Sequence, residues 1–443
     1  PKAVDDPEGF MQALAKLPTP FEKDGMVTAG NASQIVDGAA AVMLMSADKA
    51  EELGLEPLCK ITSCAVAGGE PVPMLLAPIP ATRKALKRAG KTIDDVDIIE
   101  PRAGEVGVRV KYCSVCHSDL HVFDGDFPMF GPTVMGHEAA GVVESVGPGV
   151  TRLTVGDHVV LTPVPPCGHC YFCVRGQAPL CANNTGISTF ALSDGNTSLS
   201  RNGEVIYKGL GVGAFAERVV QPAHGAVKIP ADLPLDLACL MGCALQTGVG
   251  SVLNTAQVET GATLVIMGLG GVGIAAIQGA RLAGASIILA SDPVAERREL
   301  AMQFGATHVI DPLNEDIQAR CLALTDNIGM DYAFETAGMT KLTEQAINLI
   351  RPGGTTVCVG APPLDQGVEI PNFTMFSSFE KKLLGCLMGS CNSLHEIPRL
   401  AGLWQGEKLD LANMVTRRRP IEEINEAFDD LKAGRGIRTV LEL

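Results

Sequence analysis

Thr263-Leu264-Val265-Ile266-Met267-Gly268-Leu269-Gly270-Gly271-Val272-Gly273 is the stretch on which the fold turns. An apolar, strand-like run leads directly into glycines spaced Gly-x-Gly-x-x-Gly. Ile274 to Ala283 continues with small and apolar residues at helical spacing, and Ser286 to Ser291 is a second apolar strand that ends at Asp292. Glycines at these positions let a pyrophosphate approach the N-terminus of the following helix. An acid about 20 residues further on reaches the adenosine ribose hydroxyls. Gly261 to Ala280 carries no charge and has the length of a membrane span, but the glycine cluster in its middle favours a buried strand, a turn and a buried helix. The expected cofactor is NAD, because Asp292 repels a 2′-phosphate; Arg297 and Arg298 nearby leave NADP open at this stage.

Working outward, residues 245–385 alternate strand and helix. Ala295 to Phe304 and Thr340 to Leu349 read as helices, and His308 to Ile310, Tyr332 to Glu335 and Thr355 to Val359 as strands. Such alternation predicts an α/β class with a Rossmann-type, doubly wound parallel sheet. Residues 101–230 read differently. They are glycine-rich, with short strand-like runs at Glu105 to Lys111, Gly141 to Val146, Asp157 to Leu161 and Ala216 to Val220, the pattern of a small β-barrel.

Two groups of metal-ligand types lie in this barrel region. Cys167, Cys170, Cys173 and Cys181 put four thiolates in one short loop, enough to close a tetrahedron around zinc with no position left for water. The second group is scattered. Val115 to Glu138 contains Cys116-His117-Ser118-Asp119-Leu120-His121 and Gly136-His137-Glu138, and Cys243 lies far downstream. Cys116, His137 and Cys243 are candidate ligands of a catalytic zinc. Spacing alone does not bring them together, since a lone cysteine is usually an inert buried residue. That ordinary reading holds for Cys113, Cys239, Cys321, Cys358, Cys386 and Cys391.

Cys116-His-Ser-Asp, Gly136-His-Glu, the four-cysteine loop, Gly242-Cys243-x-x-x-Thr247-Gly248, Gly268 to Gly273, Gly305-Ala306-Thr307 and Ile437-Arg438-Thr439-Val440 occur in one order along the chain. With these residues the chain from Pro101 to Leu443 resembles a zinc-dependent medium-chain alcohol dehydrogenase. The resemblance implies a GroES-like catalytic domain from residues 93–243 plus 386–443 and an NAD-binding domain from 244–385. It implies two zinc ions per chain, one catalytic on Cys116, His137 and Cys243, the other structural on the four cysteines. Glu138 would stand behind the catalytic metal and Asp119 would orient His137. Ser118 would take the alcohol proton and His121 would pass it to solvent. His117 and Arg438 would meet the pyrophosphate at Gly268, Gly270, Gly271, Val272 and Gly273. Thr247 would pack by the nicotinamide, and Asp292 and Arg297 would hold the ribose. The implied activity is hydride transfer between a primary alcohol or aldehyde and NAD. Pro163, Thr185 and Leu387 are expected at the pocket walls. Thr185 stands where the glutathione-dependent formaldehyde branch has arginine, so a glutathione adduct is not expected.

The first part of the chain belongs to another pattern. Asp24 to Ser33, Asp37-Gly38-Ala39-Ala40-Ala41-Val42 and Pro78-Ile79-Pro80-Ala81-Thr82-Arg83-Lys84-Ala85-Leu86 resemble a thiolase, with Ser33 where a thiolase touches the pantetheine arm of coenzyme A. The resemblance implies an incomplete α+β fragment over residues 1–92, without the nucleophilic cysteine and histidine that thiolase chemistry needs. Glu22 to Gly30 reads as a loop, Asn31 to Ser46 as a small apolar run, Ala47 to Leu53 and Pro80 to Gly90 as helices. Pro57 to Ala67 and Thr92 to Ile99 read as strands. Family members normally carry a strand pair before the counterpart of Pro101. Lys60 to Ala67 and Thr92 to Pro101 are the segments expected to replace it, as at the junction of a gene fusion.

Composition sets the remaining bounds. The 443 residues are 46% hydrophobic and 19% charged, which suits two to four packed domains. A net charge of −15 argues against nucleic acid. Fourteen cysteines in so long a chain suit metal ligands and thiols in a reducing compartment, and Pro1 to Leu17 lacks the features of a signal peptide. The expectation is a cytoplasmic homodimer or homotetramer acting on a small alcohol or aldehyde, with no membrane partner. The alternative is a fusion with impaired activity that serves as a non-catalytic assembly or coenzyme A-binding protein.

Overall fold

The computed structural model describes residues 45–55, 61, 63–66, 78–90, 101–192, 194–201, 204–370 and 372–443. The chain divides into two compact units, Pro1–Asp97 and Ile98–Leu443. In the first, α1 (Ala47–Glu52) and α2 (Pro78–Arg88) form where helices were expected, and each is followed by a glycine in the left-handed region, Gly54 at φ 64° and Gly90 at φ 71°. Of the strand expected at Pro57 to Ala67, including the Lys60 to Ala67 replacement segment, only residues 61 and 63–66 are described. Ile61 and residues 63–66 carry no strand structure; instead the Ser63 hydroxyl donates to the Ala85 carbonyl at 2.8 Å and Arg88 donates to the Cys64 carbonyl at 2.7 Å. Two backbone carbonyls of this segment, Cys64 and Val66, accept from Arg88 and Lys84 of α2. Ser33, the Glu22 to Gly30 loop and the acidic strand Thr92 to Ile99 lie outside the described residues.

The second unit begins with β1 (Glu105–Ser114), whose Val106, Val108 and Val110 are buried while Arg109 is exposed. After it come α3 (His117–Asp124), β2 (Glu138–Val146), β3 (His158–Leu161), β4 (Arg218–Pro222) and β5 (Ala226–Lys228). The chain then enters α4 (Ala244–Gly250) and the alternating region. This contains β6 (Thr263–Met267), α5 (Gly271–Ala283), β7 (Ile287–Ser291), α6 (Ala295–Phe304), β8 (His308–Ile310), α7 (Ile317–Leu324), β9 (Met330–Glu335), α8 (Thr340–Leu349), β10 (Ile350–Cys358) and β11 (Lys382–Gly385). It returns through α9 (Ser393–Gln405), β12 (Val415–Pro420), α10 (Ile424–Lys432) and β13 (Arg438–Glu442).

The alternating region forms a six-stranded parallel sheet in the order β8-β7-β6-β9-β10-β11. The order reverses beside β6, so a crevice opens at its C-terminal end, where the glycine loop lies. Leu264 and Ile266 of β6 pack into one apolar core and Val265 and Met267 into another, one on each face of the sheet. A strand covered on both faces explains why the sequence there is continuously apolar. The predicted limits of β6, α6, β8 and α8 are the observed ones.

The barrel sheet runs β12-β13-β1-β2-β3-β5, with β4 also paired to β1. One edge of β1 is shared between two partners. Residues 105–109 pair with β4, and residues 112–114 with β13 from the far end of the chain. Its other edge pairs with β2 from Val106 to Ser114. Both edges of β1 are therefore filled without a strand from the first unit. One core joins barrel residues such as Val160, Val227 and Val440 to Leu245, Leu264 and Ile274 of the parallel-sheet region, so the two sheets share apolar backing. Among the described residues no single helix is long and apolar enough to cross a membrane.

Lys208 is a fully buried cation in the barrel. Its ammonium donates to the Val220 carbonyl, and burial pushes its pKa down from 10.5 to about 7, against the pull of Glu105. A lysine with a lowered folded pKa holds fewer protons folded than unfolded between pH 7 and 10.5. Its penalty is therefore full below about pH 7 and fades as pH rises toward 10.5. Lys208→Met is expected to raise the thermal midpoint at pH 7 by about 2–4 °C. The gain should shrink steadily up to pH 10, as followed by calorimetry or circular dichroism.

Candidate active site and metal centres

Each of the three scattered ligand candidates sits at the start of an element. Cys116 is the residue before α3, His137 the residue before β2, and Cys243 the residue before α4. Element ends fix the backbone while leaving a side chain free to converge on its neighbours. The two sulfurs and an imidazole nitrogen lie within 4.8 Å of one another, and all three residues are buried. The four cysteines of the loop form a second group with the same spread, half-exposed apart from Cys181. There the amides of Cys167 and Cys170 donate to the sulfurs of Cys181 and Cys167 at 3.3 and 3.4 Å. Cys170 is held down to about 6, first by a backbone N–H.

Asp119 is wholly buried and gathers the first group. Its Oδ1 accepts from the Gly136 amide at 3.0 Å and lies 3.1 Å from His137 Nδ1; its Oδ2 accepts from the Cys116 amide at 3.3 Å. With Nδ1 engaged, His137 Nε2 is buried and makes no hydrogen bond. An orphaned imidazole nitrogen beside two cysteines is the donor set that zinc takes. Burial opposes protonation of His137, but Asp119 and the nearby Cys116 outweigh it and raise its pKa. The contact between the two sulfurs, with Arg438 and His137 nearby, lowers the pKa of Cys116; the same contact, together with burial, raises that of Cys243.

Glu138 makes the complementary connection. Its Oε1 accepts from the amide of Ala244, next to Cys243, at 2.8 Å, and its Oε2 faces Arg438 Nε at 3.2 Å. Burial pushes Glu138 up to about 7, with Arg438 pulling the other way. The Arg438 guanidinium also lies 3.8 Å from Cys116 Sγ and covers Gly271 so closely that a Cβ there would collide with it. Arg438 thus spans the ligand group and the glycine loop. A Cβ at Gly273 would strike the Gly268 carbonyl, which is why α5 can start so close to β6 only with glycine.

The remaining expected residues are placed as follows. Thr247 is buried, its hydroxyl donating to Met388 Sδ at 3.6 Å. Asp292 accepts from the amides of Leu269 and Val294 at 2.7 and 2.8 Å, which ties it to the glycine loop. Arg297 donates to the Gly436 carbonyl at 3.0 Å, and Arg298 donates to the Asp292 carbonyl and to Asp311. His117 opens α3, its pKa lowered by partial desolvation and then by His121, Arg438 and Arg297. Ser118 Oγ is 3.9 Å from Cys116 Sγ. His121 Nδ1 pairs with Asp126 Oδ2 at 2.7 Å. Of the expected walls, Pro163 is buried, Thr185 precedes a short helical turn and Leu387 is 43% exposed. Met388, Val164 and Ile187 are the apolar residues that pack with Cys116 and Cys243.

Sequence reasoning missed Asp126, Met388 and a buried polar chain in which Thr162 Oγ1 meets Ser393 Oγ at 2.9 Å, Ser393 donates to Gln246 Oε1 at 2.9 Å, and Gln246 donates to the Gly242 carbonyl at 2.6 Å. Of these, only Asp126 left a signal, as an acid just past the glycine that ends a helix. Of the thiols read as inert, Cys113, Cys239, Cys321 and Cys391 are buried, and Cys358 and Cys386 are half-buried.

Comparison with known proteins adds the family. Residues 102–231 match the alcohol dehydrogenase GroES-like domain and residues 271–404 the zinc-binding dehydrogenase domain. Residues 4–48 match the thiolase N-terminal domain and 55–111 the thiolase C-terminal domain, so the thiolase and GroES-like matches overlap at the start of the barrel. The chain is 40% identical over 361 residues to an NDMA-dependent alcohol dehydrogenase from Amycolatopsis methanolica, covering 80% of this chain and 97% of that one. It is similar to the crystal structure of benzyl alcohol dehydrogenase from Acinetobacter calcoaceticus, at 34% identity and a TM-score of 0.74 over 78% of this chain and 94% of that one. An alcohol dehydrogenase zinc-binding domain protein from Burkholderia ambifaria is 36% identical with a TM-score of 0.73 over 77% and 92%. With its GroES-like barrel, its Rossmann sheet and its two thiolate groups, the chain belongs to the zinc-dependent alcohol dehydrogenase family, preceded by a segment of thiolase sequence.

Proposed function

We propose that this alcohol oxidoreductase uses NAD to interconvert primary alcohols and aldehydes, with two zinc ions per chain. The observation that carries the reading is the convergence of Cys116, His137 and Cys243 beside the glycine loop, with Arg438 touching both. In this reading a zinc ion on those three residues supplies Lewis acidity that lowers the pKa of an alcohol oxygen. Asp119 fixes His137 with Nε2 as the ligand atom, and Glu138 fixes the amide next to Cys243. Ser118 takes the alcohol proton and His121 passes it to water. Arg438 and His117 neutralise the cofactor pyrophosphate over Gly268, Gly270, Gly271, Val272 and Gly273. Thr247 would flank a bound nicotinamide, the group that would supply hydride acceptance. Met388, Val164 and Ile187 supply an apolar surface for the substrate carbon chain and exclude water.

Asp292 supports NAD over NADP. A 2′-phosphate beside it would meet a carboxylate, and the arginines nearby already have partners, Arg297 on Gly436 and Arg298 on Asp311. The four-cysteine loop takes the structural zinc. On this reading the enzyme is a cytoplasmic homodimer or homotetramer. The domain division expected from the sequence places the metal between the barrel and the NAD-binding sheet, and the thiolase segment is catalytically inert.

Purified protein is expected to hold about two zinc ions per chain and to reduce NAD with short primary alcohols. Zinc-free protein, or zinc without turnover, would favour a non-catalytic assembly or coenzyme A-binding role. Turnover that needs NDMA would align the chain with the Amycolatopsis protein. Cys243→Ala is expected to abolish activity and leave about one zinc per chain, held by the four-cysteine loop, as read by atomic absorption. Asp119→Asn should weaken the catalytic metal by about 10–100-fold in chelator competition, because the carboxylate that fixes the His137 ring is lost.

A further inference from the structure

Helix α3 carries the proton-relay candidate His121 in its last turn, and the way that helix ends gives His121 a partner. Gly125 sits in the left-handed region at φ 87° and turns the chain back on itself; its amide donates to the Val122 carbonyl at 3.3 Å. The Phe127 amide then donates to the His121 carbonyl at 3.2 Å. This tight reversal brings the next side chain, Asp126, beside the imidazole, where Oδ2 lies 2.7 Å from Nδ1. The ring is 12% exposed and the carboxylate 35%, so the imidazole is sheltered while the acid still reaches water. The Phe127 ring lies 5.2 Å from the imidazole and the His117 ring 5.0 Å from it. Asp126 and His117 are thus titratable neighbours of His121 among the described residues, with Phe127 as an apolar side.

We infer that Asp126 is a positioning residue for alcohol oxidation, fixing His121 with its proton on Nδ1 so that Nε2 is the acceptor in the proton relay. This rests on the dehydrogenase reading above. A carboxylate accepts only, so a bond of 2.7 Å to it requires a proton on Nδ1 and leaves the lone pair on Nε2. When the substrate is oxidised, the alcohol proton goes to the Ser118 hydroxyl, which releases its own proton toward Nε2. The imidazolium so formed carries its Nδ1 proton against the Asp126 carboxylate until water takes the proton in transit. The electron pair of the broken carbon–hydrogen bond leaves as hydride to the nicotinamide. Asp126 touches neither substrate nor cofactor. It acts by removing the wrong tautomer and by stabilising a transient cation.

The test combines kinetics with a direct reading of the tautomer. Asp126→Asn, whose amide both donates and accepts and carries no charge, is expected to lower kcat about tenfold, the size expected for one lost charge-assisted hydrogen bond. KM and zinc content should stay unchanged, Asp126→Glu should recover most of the rate, and imidazole buffer should partly rescue the asparagine variant. In wild-type protein with ¹⁵N-labelled histidine, the His121 resonances, assigned by their loss in His121→Gln, should show the proton on Nδ1. A proton on Nε2, or an unchanged kcat in Asp126→Asn, would overturn the inference. If His121→Gln is as active as wild type there is no relay to position and the inference falls, while zinc- and NAD-dependent turnover still stands. The tautomer reading needs no turnover, so it decides the role of Asp126 even if the dehydrogenase reading fails or the asparagine variant does not fold.

Discussion

One buried carboxylate does most of the gathering at the candidate centre. Asp119 accepts from the backbone on both sides of the gap, at Cys116 and at Gly136, and holds the ring of His137. A buried carboxylate without such partners would be strongly destabilising; with them it is a rigid bracket between the start of α3 and the start of β2. Its geometry decides which imidazole nitrogen remains free, and therefore whether the site presents a ligand or only another satisfied histidine. Replacing it with an apolar group would leave two buried amides and a ring nitrogen unpaired.

Glu138 and Arg438 extend that bracket in the other direction. Glu138 reaches the amide behind Cys243, and Arg438 lies against the glycine loop while facing Glu138 and Cys116. The pair binds the barrel, the start of α4 and the final strand into one electrostatic unit. The chain from Thr162 through Ser393 to Gln246 does the same job on the far side of Cys243, with neutral groups. A metal centre assembled from three element ends needs this kind of support, because no single element holds more than one ligand.

The legible parts of the sequence were those whose chemistry is local. The glycine loop, the four-cysteine loop and the apolar strands around Leu264 announce themselves because their periodicity or spacing is fixed by backbone geometry. The family motif brought out Cys116, His137 and Cys243 together, although their spacing does not. Contacts between distant side chains were not legible. Thr162 and Ser393 are 231 positions apart, and nothing in either neighbourhood marks them as partners. Strand character at Pro57 to Ala67 did not reveal that the Cys64 and Val66 carbonyls would be met by side chains of a helix, 24 and 18 positions further on. Asp126 was missed because its role comes from the turn at Gly125, which carries it back to His121.

The two thiolate groups also differ in when they can exist. The four-cysteine loop closes over a span of 14 positions, between Cys167 and Cys181, so it can form as soon as that stretch has been synthesised. The other group waits. Glu138 and Ala244 are 106 positions apart, and Arg438 meets Cys116 across 322. Until the last strand has docked, the second group lacks Arg438 and stands in an unfinished electrostatic setting. On the proposed two-zinc reading, a nascent chain would hold the metal of the four-cysteine loop before that of the second group.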